Sequence, residues 1–102
     1  MPRKLTIIKA DGSIEEQTVA KAELKHLQSL VGGLIQQVPQ FTSYNGKRCH
    51  AWVNEEGRIK ALPHNSMGTV LWKCACGYSD KTASKFWYVP EVLGTLVIEQ
   101  KA

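Results

Sequence analysis

Residues 53–72 read VNEEGRIKALPHNSMGTVLW, and the fold depends on where this stretch stops being strand and becomes helix. Its first two residues close a run, 48–54, in which Cys49, Ala51 and Val53 alternate with His50, Trp52 and Asn54. A period of two puts the first set on one face of a strand and the second on the other. Glu55-Glu56-Gly57 supplies a turn, after which residues 58–62 are expected to pair back as a short strand. Pro63-His64 ends the extended chain, Asn65 stands where a side chain caps the free amides of a helix, and Met67, Val70, Leu71 and Cys74 follow at helical spacing.

Working outward, residues 5–9 and 14–19 are short apolar or β-branched runs around Asp11-Gly12, a pair that tolerates positive φ and so marks a hairpin. Ala20, Leu24, Leu27 and Val31 recur at steps of four, three and four, which predicts an amphipathic helix of about ten residues. Gly32-Gly33 caps that helix, residues 34–38 read as a strand ended by Pro39, and residues 42–47 form a loop about Asn45-Gly46. Residues 77–91 carry no regular period, and residues 92–99 form a closing strand rich in Val, Leu and Ile. The order is ββαββ(β)αβ. It predicts one domain over residues 1–102 of the α+β class: a mainly antiparallel sheet of about five or six strands with two helices packed on it.

The composition fits that reading. A hydrophobic fraction of 43% and a charged fraction of 22% are ordinary for a globular domain of 102 residues. Lys+Arg 13 against Asp+Glu 9 gives a net charge of +4, which permits an anionic partner but falls short of a dedicated nucleic-acid binder, so nucleic acid is disfavoured as partner. The opening MPRKLTIIKADGS lacks the apolar core of a signal peptide, and no run approaches a membrane span; a cytoplasmic protein without a membrane partner is expected. Three cysteines, Cys49, Cys74 and Cys76, are an odd number in such a chain and are expected as reduced thiols.

LQSLVGGLIQQV at 27–38, VNEEGRIKALPHN at 53–65 and VLGTLVI at 92–98, taken in that order, resemble a family of small phage-encoded domains of unknown function. The chain departs from that family at residues 73–91, KCACGYSDKTASKFWYVPE, where a short loop is usual and this sequence inserts a Cys-x-Cys and Phe86-Trp87-Tyr88. The resemblance implies a phage-encoded intracellular accessory protein. A further similarity, to phage sponge proteins that sequester cyclic nucleotide signals of bacterial antiviral defence, implies a non-enzymatic homo-oligomer with a small anionic nucleotide as ligand.

The candidate ligand-binding residues are Asn54, Glu55, Arg58, Lys60, His64 and Asn65, with Trp52 and Trp87 as stacking surfaces. Asn54 and the carboxylates would meet base edges, the cations would meet phosphate, and the helix beginning after Asn65 would offer free amides. The plainer alternative is a solvated turn and a capped helix. Lys81, Lys85, Phe86, Trp87 and Tyr88 interleave cations and rings as a base-stacking platform does, although adjacent rings cannot share a face and alternate ones are expected to anchor the loop or an interface. Lys47 and Arg48 could add phosphate contacts, or be a solvated pair.

Cys49, His50, Cys74 and Cys76 are the one set with zinc-ligand chemistry. Neighbours on a strand point to opposite faces, so buried thiols are expected instead, with no cofactor. No nucleophile stands beside a base, and an enzyme is not expected. The leading expectation is therefore a binding protein for a cyclic nucleotide, assembled as a homo-oligomer because one such domain has little concave surface. The alternatives are a module that binds a host protein or nucleic acid, and a zinc-stabilised structural domain.

Overall fold

Two six-residue strands, β1 (Arg3–Ile8) and β2 (Ile14–Val19), form the N-terminal hairpin in a computed structural model that describes residues 2–102. Asp11 closes its turn by accepting from the Ser13 hydroxyl at 2.6 Å and amide at 2.8 Å, bonds that hold its carboxyl below the usual carboxylate range. Helix α1 (Leu24–Val31) follows and ends at Gly32 with φ +79°, the left-handed cap expected of the Gly-Gly pair. It starts later than the periodicity predicts, and Leu24 is exposed; Leu27 and Val31 are its buried residues.

Next come β3 (Ile35–Gln37), the two-residue strands β4 (Ser43–Tyr44) and β5 (Lys47–Arg48), and β6 (His50–Asn54). The loop expected about Asn45-Gly46 is thus a small separate ribbon. Helix α2 (Ser66–Cys76), a short 3-10 turn (Ala83–Lys85) and β7 (Leu96–Lys101) complete the chain. The main sheet runs β2-β1-β7-β6-β3, every pair antiparallel. The fold is α+β as expected, with five strands in the principal sheet and two in the ribbon.

The helices lie on opposite faces of this sheet. Leu27 and Val31 of α1 pack with Leu5, Ile7 and Val97, whereas Leu71, Trp72 and Ala75 of α2 pack against Ile8, Ala51, Leu96 and Ile98. Central β7 is covered on both sides, which explains Leu96-Val97-Ile98 as consecutive buried residues rather than an alternating set. Phe41, just beyond β3, is 2% exposed within the α2-side core, where truncation of such a ring to alanine costs about 3–5 kcal/mol.

Three expectations need correction. Residues 58–62 form no strand: Lys60 N–H donates to Glu56, Ala61 to Arg58 and Leu62 to Gly57, so local bonds close one helical turn. The phase of α2 also differs, since Met67 and Val70 are 43% and 56% exposed and Cys74 faces solvent. Tertiary bonds set that phase. The Val92 amide donates to Thr69 Oγ1 at 2.9 Å, and Gly68 lies close enough to Val92 that an added Cβ would be 3.2 Å from its Cγ1. Lastly, β7 starts at Leu96; before it, residues 92–94 bond to the segment leading into α2, through Val92 to Asn65, Gly94 to Pro63 and an isolated bridge between Leu93 and His64.

Candidate functional site

The motif residues brace one another. Asn54, on β6, donates from Nδ2 to the Val31 carbonyl at 3.1 Å and accepts from the Glu56 amide at 2.8 Å. A Cβ on Gly33 would stand 2.9 Å from that Nδ2, so the second glycine of Gly32-Gly33 serves close approach and the first serves backbone conformation. A Cβ on Gly57 would meet Leu93 at 3.2 Å, and one on Gly94 would meet Leu62 at 2.9 Å. Asn65 is 0% exposed: its Oδ1 caps α2 by accepting from Gly68, and its Nδ2 donates to the carbonyls of Ile8 and Gly94. Asn54 and Asn65 therefore use their side-chain polar atoms within the fold.

The remaining candidates diverge around this brace. Arg58 and His64 converge on Glu91, with Nη2 to Oε1 at 3.4 Å and Nδ1 to Oε2 at 3.5 Å. Lys60 faces Glu56 at 3.8 Å. Trp52 lies on the α1 side, where its ring packs on that core and its Nε1 donates to Glu99 Oε1 at 3.0 Å. Glu55 is exposed.

Asn54, Glu55, Arg58 and Trp87 line one groove of about 410 Å³ beside β3, on the α2 face of the sheet. Trp72 and Tyr88 form its aromatic wall, stacked with ring centroids 5.4 Å apart and planes 25° apart. Trp72 Nε1 donates to the Pro39 carbonyl and the Tyr88 hydroxyl to Gln40 Oε1, fixing both rings. Phe86 lies edge-on to Tyr88 and to Tyr78, so alternate rings of Phe86-Trp87-Tyr88 anchor the loop. Trp87 turns outward, 90% exposed, its ring 4.8 Å from that of Tyr88. Ile59 and Val89, both exposed, line the groove with it, while Gln36, Glu55, Arg58 and Glu91 supply the polar edge. The adjacent rings carry a signal for this site, as does Trp72 at the end of the 53–72 stretch; Gln36 and Glu91 carry none, because their place depends on how distant segments fold together.

A second concavity, about 700 Å³, opens at the end of the sheet where Arg3, Lys47, Arg48, His50 and Lys101 gather. Arg3 and Lys101 are register partners of β1 and β7, and the β4–β5 ribbon brings the other two cations. The hydrophobic runs predict the strands but not this pairing, so Arg3 and Lys101 carry no local mark of the cleft.

The four possible zinc ligands do not assemble. Cys49 is buried, its Sγ 3.8 Å from the Phe41 carbonyl, His50 is exposed, and Cys74 and Cys76 lie at the far end of α2. Burial pushes the Cys49 thiol pKa up. Among the described residues no group of three His, Cys, Asp or Glu side chains could hold a metal ion. Nor is any helix among them long and apolar enough to cross a membrane.

Fold and site together define an α+β domain whose five-stranded antiparallel sheet lies between two helices, with an aromatic-walled groove beside an outer strand. The chain belongs to the DUF3846 family, a domain of unknown function, which it matches over residues 4–95. That span holds the VGG and NEEG motifs and the start of the closing one. No curated protein and no solved structure matches the chain.

Proposed function

We propose that this protein is a stoichiometric binder of a nucleotide, taking the base into the groove between Trp87, Tyr88 and the Gln36–Arg58 edge. The observation that carries the reading is Trp87, a ring 90% exposed yet set against a stacked Trp72–Tyr88 pair at a groove of about 410 Å³. That volume is in the range of small-molecule sites. Arg, Glu and Gln side chains are the groups that read base edges, and stacking on such a ring contributes about 1–3 kcal/mol per base. The groove sets one cation, Arg58, against Glu55 and Glu91; this favours a base over a phosphate inside it, and leaves the phosphates outward. Glu91 faces Arg58 at 3.4 Å and His64 at 3.5 Å, which places its carboxylate at the groove edge.

In the form the family resemblance suggests, the chain is a phage-encoded sponge for a cyclic nucleotide defence signal in the bacterial cytoplasm. Exposed Ile59, Trp87 and Val89 then form the rim against which a second copy closes the groove. Calorimetry with a panel of linear and cyclic mono-, di- and trinucleotides tests the reading. One member should bind, and Trp87→Ala should weaken it by about tenfold or more. Silence across the whole panel at high micromolar protein, or a Trp87→Ala protein that binds as well as wild type, rejects it.

A further inference from the structure

We infer that the basic cleft at the sheet end is a second site, which takes the phosphodiester backbone of a single-stranded nucleic acid without reading its sequence. The inference goes beyond the nucleotide reading of the groove and does not depend on it. Arg3, Lys47, Arg48 and Lys101 line the cleft, and among the described residues no carboxylate lines it. Arg3 has a partner in Glu99, its Nε 3.0 Å from Oε2, and Trp52 holds that carboxylate from the other oxygen. Among the described residues Lys47, Arg48 and Lys101 form no ion pair.

Folding alone does not account for this gathering. Arg3 and Lys101 stand directly opposite on neighbouring strands, where like charges are destabilising. The ribbon that adds Lys47 and Arg48 is fixed rather than loose: Gln100 Nε2 donates to the Tyr44 carbonyl at 2.8 Å, and the Cys49 amide to Thr42 at 2.9 Å. Four cations are thus held around one concavity in a chain whose net charge is only +4. A concave cationic groove follows a thin anionic strand, whereas duplex readers present a helix or ribbon that projects into a DNA groove.

Fluorescence anisotropy with an end-labelled oligothymidylate, titrated from about 50 to about 200 mM KCl, tests the assignment. Each unpaired cation that neutralises a phosphate contributes about −0.7 to the slope of log affinity against log salt, so Lys47, Arg48 and Lys101 predict about −2, roughly a fifteenfold loss across that range. Lys47→Glu with Arg48→Glu should reduce the slope to about −0.7 or less and weaken low-salt binding by about tenfold or more. Both residues are exposed; circular dichroism checks folding, and Lys101→Glu provides an independent variant if the ribbon does not tolerate the change. Trp87→Ala should leave the slope unchanged, and the ribbon variant should leave nucleotide affinity at the groove unchanged, so either site can fail alone. Absence of binding at low salt, an unaltered slope in folded charge-reversal variants, or equal affinity for a duplex of the same length overturns the proposal.

Discussion

The side-chain amide of Asn65 donates to the carbonyl of Ile8 at 2.8 Å, joining the cap of α2 to the end of the first strand across 57 positions of sequence. The same nitrogen donates to Gly94, and its oxygen accepts from Gly68. One fully buried residue thus sets where the helix begins, where β1 ends and where the chain approaches β7. Replacing Asn65 by alanine removes a cap worth about 1 kcal/mol and two buried hydrogen bonds, to the carbonyls of Ile8 and Gly94. The expected loss is about 3 kcal/mol or more, read from the urea midpoint. Asn65→Asp should not restore stability, because it keeps the cap but sets a carboxylate against both carbonyls.

Ala61 offers the opposite opportunity. It has φ +52° at the position where Leu62 N–H reaches back to Gly57 and Ala61 N–H to Arg58, the two bonds of a Schellman closure normally made with glycine. An alanine in this region costs about 1–2 kcal/mol, and glycine recovers part of it after its greater freedom in the unfolded chain is subtracted. Ala61→Gly should therefore raise stability by about 1 kcal/mol or less, a rise of a few degrees in Tm at most for a domain near 100 residues. Ala61→Val should lower it.

Gly33 and Asn54 should prove energetically coupled. A methyl group on Gly33 would stand 2.9 Å from the Asn54 nitrogen that holds the Val31 carbonyl. Gly33→Ala is expected to cost about 2 kcal/mol through loss of that buried bond. Once Asn54→Ala has removed the amide, the same glycine change should cost markedly less. A double-mutant cycle by chemical denaturation measures the difference, and strict additivity would show that the contact is accommodated elsewhere.

The thiols should react in order of exposure. Cys74 faces solvent and should be alkylated first by iodoacetamide at mildly alkaline pH; Cys49, buried and with its pKa raised, should be last. Peptide mapping by mass spectrometry reads the order. The raised pKa also fixes a sign. The unfolded chain gives up the Cys49 proton before the folded one does, so its contribution holds below the ordinary thiol range and stability falls as pH rises through it.

Much of the fold was legible locally. The alternation of residues 48–54, the Asp11-Gly12 turn, the Gly32 cap and the Asn65 cap each depend on residues a few positions apart, and each is present. The turn after Asn54 was less legible, because RIKAL suits a short strand as well as the helical turn that Ala61 closes. The candidate site divided in the same way. Asn54, Glu55, Arg58 and Trp87 do share a groove, but the side-chain amides of Asn54 and Asn65 serve the framework and Trp52 points to the other side of the sheet.

Local sequence therefore determined the kinds of element and their order, since hydrophobic period, caps and turn chemistry act over one or two turns of chain. Tertiary structure alone decided that the helices cover opposite faces, that α2 turns Thr69 rather than Val70 inward, and that Trp87 stands over a groove. It also brought Arg3 and Lys101 to a common cleft with a ribbon at least 40 residues from either in sequence. Those outcomes depend on antiparallel registers and on bonds such as Val92 to Thr69, whose partners are chosen by packing between distant segments and leave no periodic mark in either one.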